Sequence, residues 1–187
     1  SYGILAIITA CIIWGFVPIY YKLLAHVPPF ELLAHRTIWS FLFFFVILIY
    51  TGKLSELWTS VFVSKKDRAF IMISAVLIAI NWFFFIFAIQ TNNATEASLG
   101  YFIMPLVTVV WGLIIFKEKL SHIQWFAVSL ATVAIVILTL GLTSAPWIAL
   151  TLAVSFSFYA VLKKRLKISP MVSVTAEVLI LIPAALL

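Results

Sequence analysis

The sequence predicts an all-α membrane protein, a transmembrane helix bundle that crosses a bilayer several times. Hydrophobic residues make up 65% of the 187 positions and charged residues 10%, against roughly 45–50% and about 25% in a soluble domain. The mean hydropathy is +1.23. The apolar residues come in continuous runs of about twenty, the length that spans about 30 Å of hydrocarbon at a rise of about 1.5 Å per residue. Strands of a membrane barrel would alternate polar and apolar residues; these runs do not, which leaves helices.

Seven such runs lie near 3–24, 30–50, 69–90, 97–116, 122–141, 146–162 and 171–187. Their ends carry helix punctuation. Pro29 and Pro170 suit first-turn positions, Ser121 with Gln124 reads as a capping box, and Gly141 suits a C-terminal stop. In the second connection Leu54, Leu57, Trp58, Val61 and Phe62 recur at helical spacing, as in a short interfacial helix, or equally as hydrophobes scattered on a loop. The chain opens at Ser1 without a methionine or cleavable signal pattern and stops at Leu187 within an apolar run. It is therefore expected to be part of a longer protein.

The net charge of +6 does not point to nucleic acid, because the basic residues fall in short clusters between the runs rather than along one polar face. They point to topology, since short cytoplasmic loops retain Lys and Arg. Lys53, Lys65, Lys66, Arg68, Lys117, Lys119, Lys163, Lys164, Arg165 and Lys167 fall in alternate connections, and only Lys22 borders the others. The N-terminus is thus expected in the cytoplasm, which argues against a heptahelical receptor. Cys11 is the only cysteine and lies inside the first run, so no disulfide framework is available. No HExxH, GxSxG or Gly-rich phosphate loop occurs, and neither enzymatic activity nor a cofactor or metal is expected.

Tyr2, Trp14, Lys22 and Glu31 match Trp147, Tyr159, Lys167 and Glu177 at nearly the same spacing, with one residue of slippage. Two halves of opposite orientation are a recurrent transporter design, and a repeat with an odd number of crossings inverts its second copy automatically. On this reading residues 1–141 form a first, five-helix repeat and residues 142–187 begin a second, inverted one. The stretches WGFVPIYYK (14–22), VPPFELLAHRTIWS (27–40), NWFFFIFA (81–88), EASLGYFIMPL (96–106), QWFAV (124–128) and IALTLAVSFSFYAVLKK (148–164) resemble the RarD group of EamA-type proteins in the drug/metabolite transporter superfamily. The resemblance covers essentially the whole chain, and EASLGYFIMPL is its specific block. It implies ten helices in two inverted halves and a bacterial inner-membrane permease, linked by name to chloramphenicol sensitivity. It also implies that the chain lacks about the last three helices.

Ionisable groups inside membrane helices cost about 2.5–3.5 kcal/mol each on insertion scales. Arg36 lies about 9 Å into the second run and about 140° around the helix from Glu31, so a substrate anion or a group on another helix is its expected partner. Glu31, in the first turn after Pro28 and Pro29, either serves the helix dipole or carries charge for function; His35 shares its face. Glu96 follows Asn93 by three residues and is either part of a capping box or a pathway charge. Gly100, Tyr101, Met104 and Thr108, with Pro105 freeing a carbonyl that needs protein or water beside it, make the fourth run the expected cavity wall. Asn81 and Trp82 fall at the depth where transporters bind substrate, although Asn81 also suits an interhelical hydrogen bond. Trp14, Pro18, Tyr21 and Lys22 form an aromatic, kinked face, with Tyr159 the repeat counterpart of Trp14. Glu177 lies about 10 Å into the seventh run with no cation near it in sequence, so a partner on another helix or a proton must compensate it.

The expected function is secondary transport of a small polar or amphipathic metabolite, outward, by rocking of two inverted halves around a midplane cavity. Trp14, Tyr21, Arg36, Asn81, Trp82, Tyr101, Met104 and Tyr159 are the expected substrate path, and Glu31, Glu96 and Glu177 the expected charge- or proton-coupling groups. The expected partners are a small-molecule substrate, the lipid bilayer and a second copy in a homodimer. The competing class is a membrane-embedded sensor or enzyme whose polar residues lie off any transport path.

Overall fold

A computed structural model describes residues 2–63, 65–141 and 146–186. Its helices are α1 (Tyr2–Leu23), α2 (Pro29–Tyr50), α3 (Leu54–Trp58), α4 (Lys65–Gln90), α5 (Ala94–Ile115), α6 (His122–Leu140), α7 (Trp147–Arg165) and α8 (Pro170–Ala185). Six of them are long and apolar enough to cross a membrane; α8, from the seventh apolar run, is a shorter apolar helix of 16 residues. The protein is an all-helical, multi-pass membrane bundle.

Local chemistry explains most of the boundaries. Pro29 and Pro170 open α2 and α8, where a missing amide hydrogen leaves no helical bond unmade. At α6 the capping box forms: Gln124 N–H donates to Ser121 Oγ at 3.3 Å, and Ser121 N–H donates to Gln124 Oε1 at 2.8 Å. At α5 it does not. Asn93 makes no side-chain cap bond and donates its amide to Thr91 Oγ1 instead, while Glu96 is buried, 7% exposed. The second connection is helical as α3 and a π-helical segment, Thr59–Val63. Leu57 and Val61 are buried there, and Trp58 and Phe62 are exposed with their rings 4.3 Å apart.

The most extensive contact is between α5 and α7, followed by α2 with α8 and α4 with α7. Small residues allow it. A Cβ built on Gly100 would lie 2.9 Å from both the Ala149 carbonyl oxygen and Leu152 Cβ, and Ala149 and Ala153 are fully buried against Leu99 and Ile103. Close approach of backbones is how membrane helices gain dispersion energy when lipid is as apolar as their side chains. Hydroxyls add to the same seam: Ser157 donates to the Met104 carbonyl at 3.0 Å, and Thr108 to Ser157 Oγ at 3.2 Å. By contrast, α1 rests chiefly on α4, and α6 chiefly on α5.

Contacts between connections show which loops share an end of the bundle. Gln90 Nε2 donates to the Leu24 and Val27 carbonyls, both at 2.9 Å, and Lys22 donates to Asn92. At the other end Lys164 pairs with Glu118 at 3.0 Å, and Ser169 N–H donates to Glu56 Oε1 at 2.8 Å. The basic connections therefore gather at one end, with Lys22 at the opposite one.

Candidate functional site

Between α1 and α2 lies a groove of about 650 Å³, walled by Trp14, Val17, Tyr20 and Tyr21 on one side and Leu32, His35, Arg36 and Trp39 on the other. Arg36 defines it chemically. Its guanidinium carbon sits 3.9 Å from the Trp82 ring centroid and 5.7 Å from that of Trp14, and its Nη1 donates to the Tyr21 hydroxyl at 2.9 Å. A weakly hydrated planar cation gains from ring faces in a low-dielectric setting, which offsets part of its insertion cost. The expected group on another helix is thus a π-face and a phenol rather than a carboxylate. Among the described residues the ion pairs are Lys163–Glu177 and Lys164–Glu118, and Arg36 takes part in neither.

From this groove an aromatic run leads through the bundle. The Tyr21 ring meets Phe85 edge-on at 6.2 Å, Phe85 meets Tyr101 at 5.8 Å, Tyr101 meets Phe156 at 6.4 Å, and Phe156 meets Tyr159 at 5.7 Å. It ends at a second charged centre. Tyr159 donates its hydroxyl to Glu177 Oε2 at 3.0 Å, while Lys163 Nζ and Ser173 Oγ reach Glu177 Oε1 at 2.9 and 3.1 Å. Glu177 is 1% exposed, and its charge is paired within the protein by Lys163 of the neighbouring helix. Arg36 lies about 10 Å from one end of the bundle along α2, and Glu177 about 10 Å from the other along α8.

A family profile described as the EamA-like transporter family matches residues 1–140. The chain belongs to that family. It is one of transporters, not enzymes, in agreement with the missing catalytic motifs. The chain is 40% identical over 184 residues to Protein RarD of Escherichia coli (strain K12), 38% identical over 186 residues to the uncharacterized transporter YojE of Bacillus subtilis (strain 168), and 30% identical over 188 residues to the chloramphenicol-sensitive protein RarD of Pseudomonas aeruginosa. Each match takes in 98% of this chain and 62% of the relative, so the chain spans about three fifths of the length of these relatives. No solved structure matches.

The structure gathers seven of the expected site residues along one route: Trp14, Tyr21, Arg36 and Trp82 at the groove, Tyr101 midway, and Tyr159 with Glu177 at the far charge. Others lie apart from it. Asn81 is 1% exposed and holds α4 to α7, donating to the Leu152 carbonyl at 3.0 Å and to Ser155 Oγ at 3.1 Å. Met104 packs on the α5–α7 seam. Glu31 is exposed in the first turn of α2, and Glu96 is buried in the first turn of α5. Sequence reasoning missed the role of Lys163, which it counted only as a topological charge, and of Ser173 and Phe156. A signal existed: Tyr159 with Lys163, and Ser173 with Glu177, are both spaced four apart, so each pair shares a helix face.

Proposed function

We propose that this chain forms the larger part of an inner-membrane secondary transporter that moves a small polar or amphipathic solute outward by alternating access. In this reading residues 1–141 are one repeat, residues 142–187 begin an inverted second, and the basic end of the bundle faces the cytoplasm. The observation that carries it is the aromatic run between two charged centres, half-buried Arg36 toward one end and buried Glu177 toward the other. Such a route offers a passing solute π-faces and hydroxyls at successive depths, with the Arg36 charge to orient it near one side. Family membership supports transport as the activity, and the charge asymmetry of the connections supports the orientation.

The test is flux through the purified full-length protein in vesicles loaded with a cell metabolite extract, with Trp82→Ala and Phe85→Ala as route variants. Protein-dependent loss of particular solutes, slowed per folded molecule in both variants, is the expected result. Vesicles that retain every solute as well as empty ones would refute transport. Flux that ignores both variants would move the route elsewhere.

A further inference from the structure

We infer that Arg36 is the anchor for an anionic group with two in-plane oxygens, a carboxylate, carried on a planar apolar body. The inference rests on the transport reading for its biological sense, but the site itself is argued from geometry. Three features of the groove lead to it. The guanidinium carbon lies over the Trp82 ring at 3.9 Å, so the ring covers one side of the group and leaves other N–H donors to face the groove. Among the described residues its hydrogen bond runs from Nη1 to the Tyr21 hydroxyl. The cation therefore keeps a fork of N–H donors and its full charge for a group that is not part of the described residues. A carboxylate matches such a fork with two parallel, charge-assisted hydrogen bonds.

The walls specify the rest of the ligand. Trp14, Tyr20, Tyr21 and Trp39 line the same groove as Arg36 and present flat, largely apolar surfaces suited to a planar ring. One fixed cation suits one negative charge, and His35 in the same groove adds a hydrogen-bonding imidazole. The groove volume of about 650 Å³ falls within the usual range for small-molecule sites, about 300–1,000 Å³. The same anion chemistry is available from a lipid phosphate, so the experiment must separate the two sources.

The probes are a matched pair, indole-3-acetate and indole-3-acetamide, which share a ring and differ in charge. Binding of each is measured by equilibrium dialysis to the full-length protein in nanodiscs of phosphatidylcholine alone and of phosphatidylcholine with phosphatidylglycerol. The acid is expected to bind wild type about 10- to 100-fold more tightly than the amide, the worth of a hydrogen-bonded charge. Arg36→Gln should erase that preference, and Arg36→Lys, which keeps charge but loses the planar fork, should retain only part of it. If phosphatidylglycerol displaces the acid from wild type, a lipid phosphate is the occupant and the carboxylate assignment falls; if acid binding is the same in both discs, a solute carboxylate is.

Equal binding of acid and amide by wild type would overturn the inference without reference to any variant. So would an acid preference that survives Arg36→Gln. Flux is scored separately: acid bound but not moved leaves the site standing and defeats the transport reading, whereas solute flux with no acid preference does the reverse.

Discussion

Gly100→Ala adds one methyl group at a close approach of α5 and α7, and its cost follows from the space around it. The new Cβ would lie 2.9 Å from the Ala149 carbonyl oxygen and 2.9 Å from Leu152 Cβ, against about 3.5–4.0 Å for an unstrained contact. Neither neighbour can turn aside, because one is backbone and the other is the first atom of its side chain. Relief requires α5 and α7 to separate by roughly 0.5–1 Å, and overpacking of this kind costs about 1–3 kcal/mol. The separation would also stretch the Ser157–Met104 and Thr108–Ser157 bonds farther along the seam. Ala gains roughly 0.8–1 kcal/mol of helix propensity over Gly, but Gly15→Ala carries the same gain with nothing within 4 Å of its added carbon. The difference between the two variants therefore isolates packing. The assay is the thermal loss of monodisperse protein in detergent, where about 1 kcal/mol corresponds to about 2–4 °C for a chain of this size. Gly15→Ala should match or exceed wild type, and Gly100→Ala should fall several degrees below Gly15→Ala. Two variants of equal stability would refute the claim that this glycine sets the helix spacing.

The other expectations concern the polar groups. Glu177→Gln leaves Lys163 charged without its buried partner and should cost about 3–5 kcal/mol, whereas Lys163→Met with Glu177→Leu should recover most of that in the same thermal assay; a double variant no better than the single would count against a buried pair. Asn81→Ala should lower stability by about 0.6–1.7 kcal/mol, the worth of interhelical hydrogen bonds in membranes, while flux per folded molecule stays at the wild-type level; a selective loss of flux would return Asn81 to the substrate path. In a Cys11→Ala background, single cysteines at Lys65, Lys117 and Lys167 should resist an impermeant thiol reagent in intact cells and react in inverted vesicles, with a cysteine at Asn92 behaving oppositely. The reverse pattern would invert the proposed topology.

Much of this architecture was legible because apolar run length maps directly onto helix length in a bilayer. Pro29, Pro170 and the Ser121–Gln124 box placed three helix starts for reasons that are local to the chain. Asn93 and Glu96 did not behave as their spacing suggested, because a first turn can be finished by the fold around it, and Asn93 turned to Thr91. The site was legible as residue types but not as partnerships. Arg36 was singled out by depth, yet nothing in a linear pattern says that Trp82, on the next membrane-crossing helix, would lie beneath it. Asn81 and Trp82 are adjacent in sequence and equal in depth, but they point about 100° apart, so one closes a helix seam and the other supports the groove. Glu177 and Lys163 were separated in the reading because they belong to different helices, although the four-residue spacings to Ser173 and Tyr159 marked the faces that meet.

The tight seam between α5 and α7 also sets a schedule for biogenesis. Thr108 and Ser157, which bond across it, stand 49 residues apart in the chain, with all of α6 made in between. At about 5–20 residues per second that interval is roughly 2–10 s, during which α5 is already in the membrane without its principal neighbour. Throughout that wait the groove left by Gly100 and the Thr108 hydroxyl are open to acyl chains, and α6 must enter and settle at the flank rather than occupy the place reserved for α7. The shape of Gly100 is thus also a means of selection, since only a helix bearing small residues such as Ala149 and Ala153 can approach closely enough to displace the lipid.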